Sequence, residues 1–369
     1  MKVLIIDDIP DSVKRISDFC DEKGWTKQIV GFEIACKTFF EYNPDVLILD
    51  WFDDGELADN ENETSGGSLF SIIWKNSYRP IVVFSANASL INLDDKLKQS
   101  QMLKLIPKGD EQPVCDYLEK LEKVSSALTS FRSDMGEALI ESLNTIDLLT
   151  ETVGITNDAV EYVLAKRTEA FFDGKYISAL SPSWVQYLCP PVGNSLMVCD
   201  ILFKKTENEE DRCNPENFLL VLTPSCDLSC DNGQMPKVSD VLCARCCGKE
   251  TFHKYGLLDV LDATKSVLKK IDDVKKKLNL GYNGSCVPLP KFSDVIPYMT
   301  VDLKRLVLLP LEKIATIKSN INETTEYIRV ASICSPFREQ IVWAHLQNSC
   351  RPGVPERNTE FWAKEILVK

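Results

Sequence analysis

The first 124 residues alternate short apolar runs with helical patterns five times, and this alternation restricts the fold more than any other feature. The apolar runs are KVLIID, KQIVGF, PDVLILD, RPIVVFSA and MLKLIPKG. Near-continuous apolar strands that alternate with helices are typical of a parallel sheet covered on both faces. We therefore predict an α/β domain with a five-stranded parallel sheet over residues 1–124.

Reactive side chains stand at the carboxyl ends of four of these predicted strands. The first strand ends at Asp7 and Asp8, the third at Asp50, the fourth at Ser85 and the fifth at Lys108. Ligands of open parallel sheets bind outside the carboxyl ends of the strands, so we expect these groups to converge. Adjacent carboxylates repel each other, and a hard divalent cation such as Mg²⁺ offsets that repulsion.

The expected chemistry is phosphoryl transfer. Asp50 can act as a nucleophile and form an aspartyl phosphate. Mg²⁺ and Lys108 would neutralise charge on the transferring oxygens, and the Ser85 hydroxyl can donate to one of them. The predicted magnesium ligands are Asp7, Asp8, Asp50 and the backbone carbonyl of Phe52.

This set of residues resembles the receiver domain of two-component response regulators over roughly residues 1–124. The resemblance rests on the strand-end residues Asp7, Asp8, Asp50, Ser85–Ala86 and Lys108. It implies a flavodoxin-like fold, Mg²⁺ as cofactor, and phosphorylation of Asp50 by a histidine kinase or kinase-like ATPase.

The chain departs from the receiver pattern at three places. Gly109 follows the lysine where the family usually has proline, and Leu105 occupies the position of the family's aromatic switch residue. The loop after Asp50 is longer and more acidic than usual. These departures concern the aromatic-rotamer switch rather than the phosphorylation chemistry. Two alternatives stay open: a receiver-like fold whose acids are only solvated loop residues, and a receiver that folds and is never phosphorylated.

A helical connector is predicted over residues 125–172. Apolar residues from Val114 to Met135 recur at spacings of three and four, which gives a narrow apolar seam, and no proline lies between Pro113 and Pro182. This pattern indicates one long helix or two. The seam can form a homodimeric coiled coil that transmits the receiver state, or it can pack on the chain's own second domain.

The remainder, residues 173–369, is predicted to be a mixed α+β output domain with a Cys-rich segment at 226–253. Cys226 and Cys230 form one short pair, and Cys243 and Cys246 form a second. Paired cysteines near this spacing suit tetrahedral zinc, so these four are the predicted ligands of a structural Zn²⁺ site. Substitute ligands are Cys247 and His253.

Three other interpretations of the cysteines stay open. They can be ordinary buried or free thiols, or ligands of a catalytic metal. A Cys–His hydrolase would use Cys226 with His253 or His345, the two histidines of the chain.

Composition restricts partners and location. The net charge of −13 argues against a broad nucleic-acid or anionic-membrane surface, and no run reaches the roughly 18 apolar residues of a membrane span. Without a secretory signal, fourteen cysteines indicate a reducing cytoplasm. No helix-turn-helix with a basic recognition helix is evident.

The segments TPSCD and ASICSPFREQIVWAHLQNSCRPGVPE are similar to a C-terminal region in bacterial receiver-fusion proteins of defence-type gene clusters. This resemblance implies no known chemistry. The sequence as a whole predicts a signalling protein whose receiver controls an output domain that binds a partner protein. The alternatives are a receiver-gated effector enzyme, either a hydrolase or a nuclease, and a scaffold with an unphosphorylated receiver.

Overall fold

A computed structural model describes residues 1–52, 64–91, 93, 97, 100–151, 156–175, 182–229, 235–252, 265–350 and 359–367. The chain forms two compact units, Met1–Ile177 and Ser178–Lys369, and each has its own sheet and core. In the described residues, no helix is both long enough and apolar enough to cross a membrane.

The first unit contains a five-stranded sheet in which every strand pair is parallel. Its strand order, β2-β1-β3-β4-β5, is the flavodoxin-like order of doubly wound α/β proteins. The predicted five-stranded parallel sheet is therefore confirmed. The strands are β1 (Lys2–Ile6), β2 (Thr26–Val30), β3 (Val46–Leu49), β4 (Ile81–Ser85) and β5 (Leu103–Pro107).

Helices cover both faces of this sheet, which explains why the inner positions of its central strands are apolar. Val3 and Ile5 of β1 face one core cluster, and Leu4 and Ile6 face the other. The four residues of β3 are all buried. The first three helices are α1 (Lys14–Glu22), α2 (Phe32–Tyr42) and α3 (Ser65–Ser77).

A single long helix, α4 (Gln112–Leu143), leaves the sheet. Its first half packs on the sheet through Val114, Leu118 and Leu121. The predicted domain boundary at residue 124 falls inside this unbroken helix. Two more helices follow, namely α5 (Ile146–Thr150) and α6 (Asn157–Lys175).

The second half of α4 and α6 form an antiparallel helical hairpin. Phe131 stacks on Phe172 with ring centroids 5.4 Å apart. Lys175 Nζ lies 2.6 Å from an Asp134 carboxylate oxygen, and the hydroxyls of Ser142 and Thr168 are 3.0 Å apart. The predicted one or two connector helices are thus a hairpin that belongs to the first unit.

The second unit is built on an eight-stranded sheet that is antiparallel except for one parallel pair, β12 with β13. Its order is β10-β11-β9-β8-β7-β13-β12, and β6 also pairs with β13. The strands are β6 (Tyr187–Leu188), β7 (Asp200–Lys204), β8 (Phe218–Val221), β9 (Asp240–Gly248), β10 (Cys286–Leu289), β11 (Met299–Pro310), β12 (Ile314–Ala315) and β13 (Tyr327–Ile333).

Separate apolar clusters cover the two faces of this second sheet. One cluster includes Ile341 and Ala344 of α9, and the other includes Leu228 of α7. The mixed α+β class predicted for this region is confirmed. The helices are α7 (Ser225–Leu228), α8 (Lys265–Leu280), α9 (Phe337–Ser349) and α10 (Glu360–Leu367).

A buried ion pair joins β7 to β13. Arg329 Nε lies 2.8 Å from Asp200 Oδ2, and both side chains are fully buried. Ser332 donates a hydrogen bond to the other Asp200 oxygen at 2.6 Å, and Arg329 donates to the carbonyls of Val192 and Gly193. Removal of one partner from such a pair would leave a buried charge and strongly destabilise the sheet.

Candidate acidic site at the edge of the parallel sheet

Asp7 and Asp50 lie side by side because they follow neighbouring strands. Ile6 of β1 is paired with Leu49 of β3, and each aspartate is the next residue. Their side chains are almost fully buried, whereas Asp8 is half-buried. Carboxylate oxygens of these three residues lie within 4.8 Å of one another. The parallel topology therefore collects three acids at one point of the sheet edge.

Hydrogen bonds hold two of these carboxylates in place. The Ile9 amide donates to Asp7 Oδ1 at 2.9 Å, and the Ser12 hydroxyl donates to Asp7 Oδ2 at 2.8 Å. The Trp51 amide donates to Asp50 Oδ1 at 2.7 Å. Sequence reasoning missed Ser12, although a hydroxyl five residues after a strand-end aspartate was a signal that could have found it.

Lys108 bridges the two buried acids from the end of β5. Its Nζ lies 2.5 Å from Asp50 Oδ2 and 2.8 Å from Asp7 Oδ2. Burial alone would lower the Lys108 pKa, but the hydrogen bonds to Asp50 and Asp7 outweigh it and raise the pKa above its ordinary value. The ammonium group therefore stays charged at neutral pH beside the predicted nucleophile.

Ser85 ends β4, which lies between the strands that carry Asp50 and Lys108. It is buried, and its carbonyl accepts a hydrogen bond from the Lys108 amide at 3.1 Å. Gly109, where the sequence departs from the receiver pattern, has a φ of +112°, a region that favours glycine. Leu105 packs against the core cluster on the α3 side of the sheet.

Gly66, in the first turn of α3, touches the backbone that follows Asp50. A Cβ at this position would lie 2.4 Å from the Asp50 carbonyl oxygen and 2.6 Å from Trp51 Cα. Thr64 caps the same helix by accepting from the Gly67 amide at 3.1 Å. Sequence reasoning missed Gly66, because nothing local shows that a helix end rests against this strand end.

The donor set fits a hexacoordinate hard cation. Ligand oxygens at about 2.1 Å from Mg²⁺ lie roughly 3–4 Å apart, and the oxygens of Asp7, Asp8 and Asp50 already meet within 4.8 Å. All three are hard carboxylate donors, the type that Mg²⁺ prefers. Phe52 belongs to the described part of the chain and lies two residues after Asp50. Its carbonyl as a further ligand stays a prediction.

The predicted zinc pair Cys243 and Cys246 is not brought together. Both lie in the continuous strand β9, where residues three apart point to opposite faces. Cys243 belongs to one core cluster of the sheet, and Cys246 to the cluster on the other face. The prediction of a zinc knuckle here was wrong, because the short loop that aims two thiolates at one ion is absent from this strand.

The other cysteines give the zinc prediction no support among the described residues. Cys226 is exposed on α7, while Cys230 and the substitute ligand His253 lie outside the described residues. Burial raises the pKa of Cys243 to about 12 and also raises that of Cys247, so both are protonated at neutral pH. Within the described ranges, the residues placed to share a metal ion are the three aspartates.

The first unit is similar to several solved structures, over about a third of the chain. The N-terminal domain of a response regulator/sensory box/GGDEF 3-domain protein from Carboxydothermus hydrogenoformans shares 20% identity, with 35% of this chain and 99% of that chain covered and a TM-score of 0.28. The response regulator TrrA from Thermotoga maritima, in complex with Mg(2+)-BeF, shares 20% identity, with coverage of 32% and 97% and a TM-score of 0.25. The BeF3-activated receiver domain of Klebsiella pneumoniae RstA shares 15%, with coverage of 32% and 96% and a TM-score of 0.25.

Similarity at these identities and TM-scores says nothing about activity, and the fold assignment rests on the strand order of the sheet itself. No protein-family model matches the chain, and neither does any of the curated proteins with which it was compared.

Proposed function

We propose that the first unit is a phosphoryl-accepting receiver that controls the second unit. Asp50 takes a phosphoryl group from a phosphohistidine of a histidine kinase or kinase-like ATPase. Asp7, Asp8, Asp50 and the Phe52 carbonyl hold the Mg²⁺ ion. The observation that carries this proposal is the Lys108 ammonium, which contacts the buried carboxylates of both Asp50 and Asp7.

The transfer step conserves atoms and charge. An Asp50 carboxylate oxygen attacks phosphorus, a P–O bond forms, and the P–N bond to the donor imidazole breaks. The imidazole leaves with the bonding electron pair and takes a proton from solvent. Bound Mg²⁺ supplies positive charge beside the transferring oxygens.

The chain's own side chains receive the new group. Lys108 exchanges its contact with the Asp50 carboxylate for a phosphoryl oxygen, and its raised pKa keeps it cationic throughout. The Ser85 hydroxyl donates to another phosphoryl oxygen from the end of β4. Ser85 ends β4, the neighbour of β3, and Lys108 follows β5, the next strand along the sheet, so arrival of the phosphoryl group moves the ends of β4 and β5.

The signal leaves the receiver through α4, which runs without a break from the sheet into the helical hairpin. Phosphorylation would shift the conformational equilibrium of the hairpin and so alter the surface that a partner protein binds. The proposal contains no zinc, since Cys243 and Cys246 lie on opposite faces of their sheet.

The proposal includes a homodimer formed through the hairpin. Apolar side chains near its turn are exposed, with Leu139 at 53%, Ile140 at 64%, Leu143 at 46% and Leu148 at 70%. Helix α6 has no fully buried residue among those described. A second copy of the hairpin would cover these apolar side chains and complete a four-helix arrangement.

The test is hydrogen exchange by mass spectrometry on the full chain with Mg²⁺, with and without beryllofluoride, which mimics a phosphoryl group on Asp50. We expect increased protection around Asp50 and Ser85 and a change in α4 or beyond residue 172. Asp50→Asn should abolish both effects, whereas Asp18→Asn, at an exposed position of α1, should keep them. No change near Asp50 in the wild type would contradict the proposal and favour an unphosphorylated scaffold.

A further inference from the structure

The second unit contains a cavity of about 820 Å³ between its sheet and helix α9. Its apolar lining includes Val287 and Leu289 of β10, Met299 of β11, and Phe337 and Ile341 of α9. The volume lies in the range of small-molecule sites, roughly 300–1,000 Å³. Four of its lining residues, Pro336, Phe337, Gln340 and Ile341, belong to the SPFREQI part of the sequence, for which the sequence analysis gave no chemistry.

Lys249 carries the one formal charge among the residues that line the cavity in the described part of the chain. Lys249 is solvent-exposed and forms no ion pair with a described residue, and its Nζ lies 5.9 Å from the centre of the Tyr298 ring, which also lines the cavity. On a chain of net charge −13, an unpaired lysine at an apolar cavity is a local attraction for an anion.

Gln186 supplies a second, independent feature of the cavity wall. Its Nε2 atom is buried and makes no hydrogen bond of ordinary geometry among the described residues, although the side chain is near enough to the Tyr187 hydroxyl to act on the pKa of that group. A buried donor without an acceptor is unfavourable, so native proteins rarely keep one without a reason. An acceptor oxygen on a bound molecule would satisfy this amide.

We infer that this cavity binds a small anionic molecule with an apolar body. The anionic group lies against Lys249, and an oxygen of the ligand accepts from Gln186. The body packs on Leu289, Met299 and Phe337. This site is independent of Asp50 and makes the second unit a sensor of a small molecule rather than only a recipient of the receiver's signal.

The test measures binding to the full chain by calorimetry with three anionic probes and their neutral counterparts. The anions are 1-naphthoate, indole-3-acetate and AMP; the counterparts are 1-naphthalenemethanol, indole-3-ethanol and adenosine. We expect at least one anion to bind more tightly than its counterpart. Lys249→Gln should lower the affinity for that anion about tenfold, as loss of a charge-assisted hydrogen bond does. The matched control Lys291→Gln removes an exposed lysine outside the cavity lining and should leave binding unchanged.

A second variant separates ligand binding from a structural role. Gln186→Met removes the unpaired donor, so we expect weaker binding of the same anion with no loss of resistance to urea. The inference is overturned if none of the three anions binds at millimolar concentration. It is also overturned if binding survives both Lys249→Gln and Gln186→Met, or if neutral counterparts bind as well as the anions. Failure here leaves the Asp50 experiment unaffected, since that experiment reports on the first unit.

Discussion

Asp7 and Asp50 share Lys108 but differ in their remaining support. Asp7 accepts hydrogen bonds from the Ile9 amide and the Ser12 hydroxyl, whereas Asp50 accepts one from the Trp51 amide. The more heavily bonded carboxylate is suited to hold a cation in fixed geometry. Asp50 accepts fewer hydrogen bonds and is suited to attack phosphorus, because fewer hydrogen bonds must break when its oxygen reacts.

Ser12→Ala should therefore weaken Mg²⁺ binding without removing a ligand. Loss of the 2.8 Å hydrogen bond frees Asp7 to rotate, and changes of this kind reduce metal affinity by about tenfold or more. Calorimetric titration of Mg²⁺ checks the value, with exposed Ser126→Ala on α4 as control. Equal Mg²⁺ affinity in wild type and Ser12→Ala would mean that Asp7 needs no such support.

Gly66→Ala should damage the same site from the other side. Its new Cβ would meet backbone atoms of Asp50 and Trp51, which cannot move aside as a flexible side chain can. We expect a loss of stability of about 1–3 kcal/mol and impaired Mg²⁺ binding. Gly136→Ala, in the middle of α4 with open space around it, should instead stabilise by about 0.5–1 kcal/mol. Urea unfolding measures the free energy of unfolding of both variants. Equal changes in the two variants would contradict the close contact at Gly66.

Among the elements, α4 has two distinct environments along its length. Its first half is buried against the parallel sheet, whereas its second half packs on α6 and contacts Asp45 through Thr129 and Arg132. A helix stabilised on one side by a single neighbour keeps apolar residues exposed on the other. The predicted apolar seam from Val114 to Met135 therefore packs on the parallel sheet in its first part and lies in the helical hairpin in its last part.

The double variant Leu139→Glu/Leu143→Glu should convert the proposed dimer into a monomer, because charges on both copies would face each other across the hairpin surface. Light scattering during size-exclusion chromatography should give twice 41.6 kDa for the wild type and 41.6 kDa for the variant. Lys123→Glu, exposed on the same helix, is the control and should remain dimeric. A wild-type mass of 41.6 kDa at micromolar concentration would refute dimerisation through the hairpin.

Across the whole molecule, the described cysteines are free thiols, and many are buried in the two cores. Burial raises the pKa of Cys20 to about 11 and those of Cys199 and Cys243 to about 12, since a thiolate is poorly solvated there. The unfolded chain loses these protons near pH 9. The contribution of these buried thiols to the free energy of unfolding is therefore fully present below pH 9, and it is lost as the pH rises toward 12.

Cys243→Ala should make the protein less sensitive to alkali. Between pH 8 and pH 10 the wild type should lose about 1 kcal/mol of stability through this thiol, from about 1.4 kcal/mol per pKa unit. The variant is less stable at pH 8 because of the cavity it creates. The quantity to compare is therefore the change in the free energy of unfolding between pH 8 and pH 10 in each protein. Urea unfolding at both pH values gives these differences, and exposed Cys213→Ala is the control. An unchanged pH difference in Cys243→Ala would show that the thiol does not titrate as inferred.

The sequence by itself determined the parallel sheet and the position of its acidic edge. Buried strands between helices are apolar throughout, and parallel strands place their carboxyl ends on one edge. Local patterns were therefore enough to predict that Asp7, Asp8, Asp50, Ser85 and Lys108 end neighbouring strands. The same local logic predicted a long helix after β5 and an α+β second half.

Only the tertiary structure decided which side chains meet across the chain. The spacing of Cys243 and Cys246 is the same in a metal-binding loop and in a strand, but the strand sends the two thiols into opposite cores. Likewise, the contact of Gly66 with the Asp50 backbone and the cavity beside Lys249 depend on segments far apart in sequence. Contacts of this kind arise from packing between elements, and local periodicity carries no information about them.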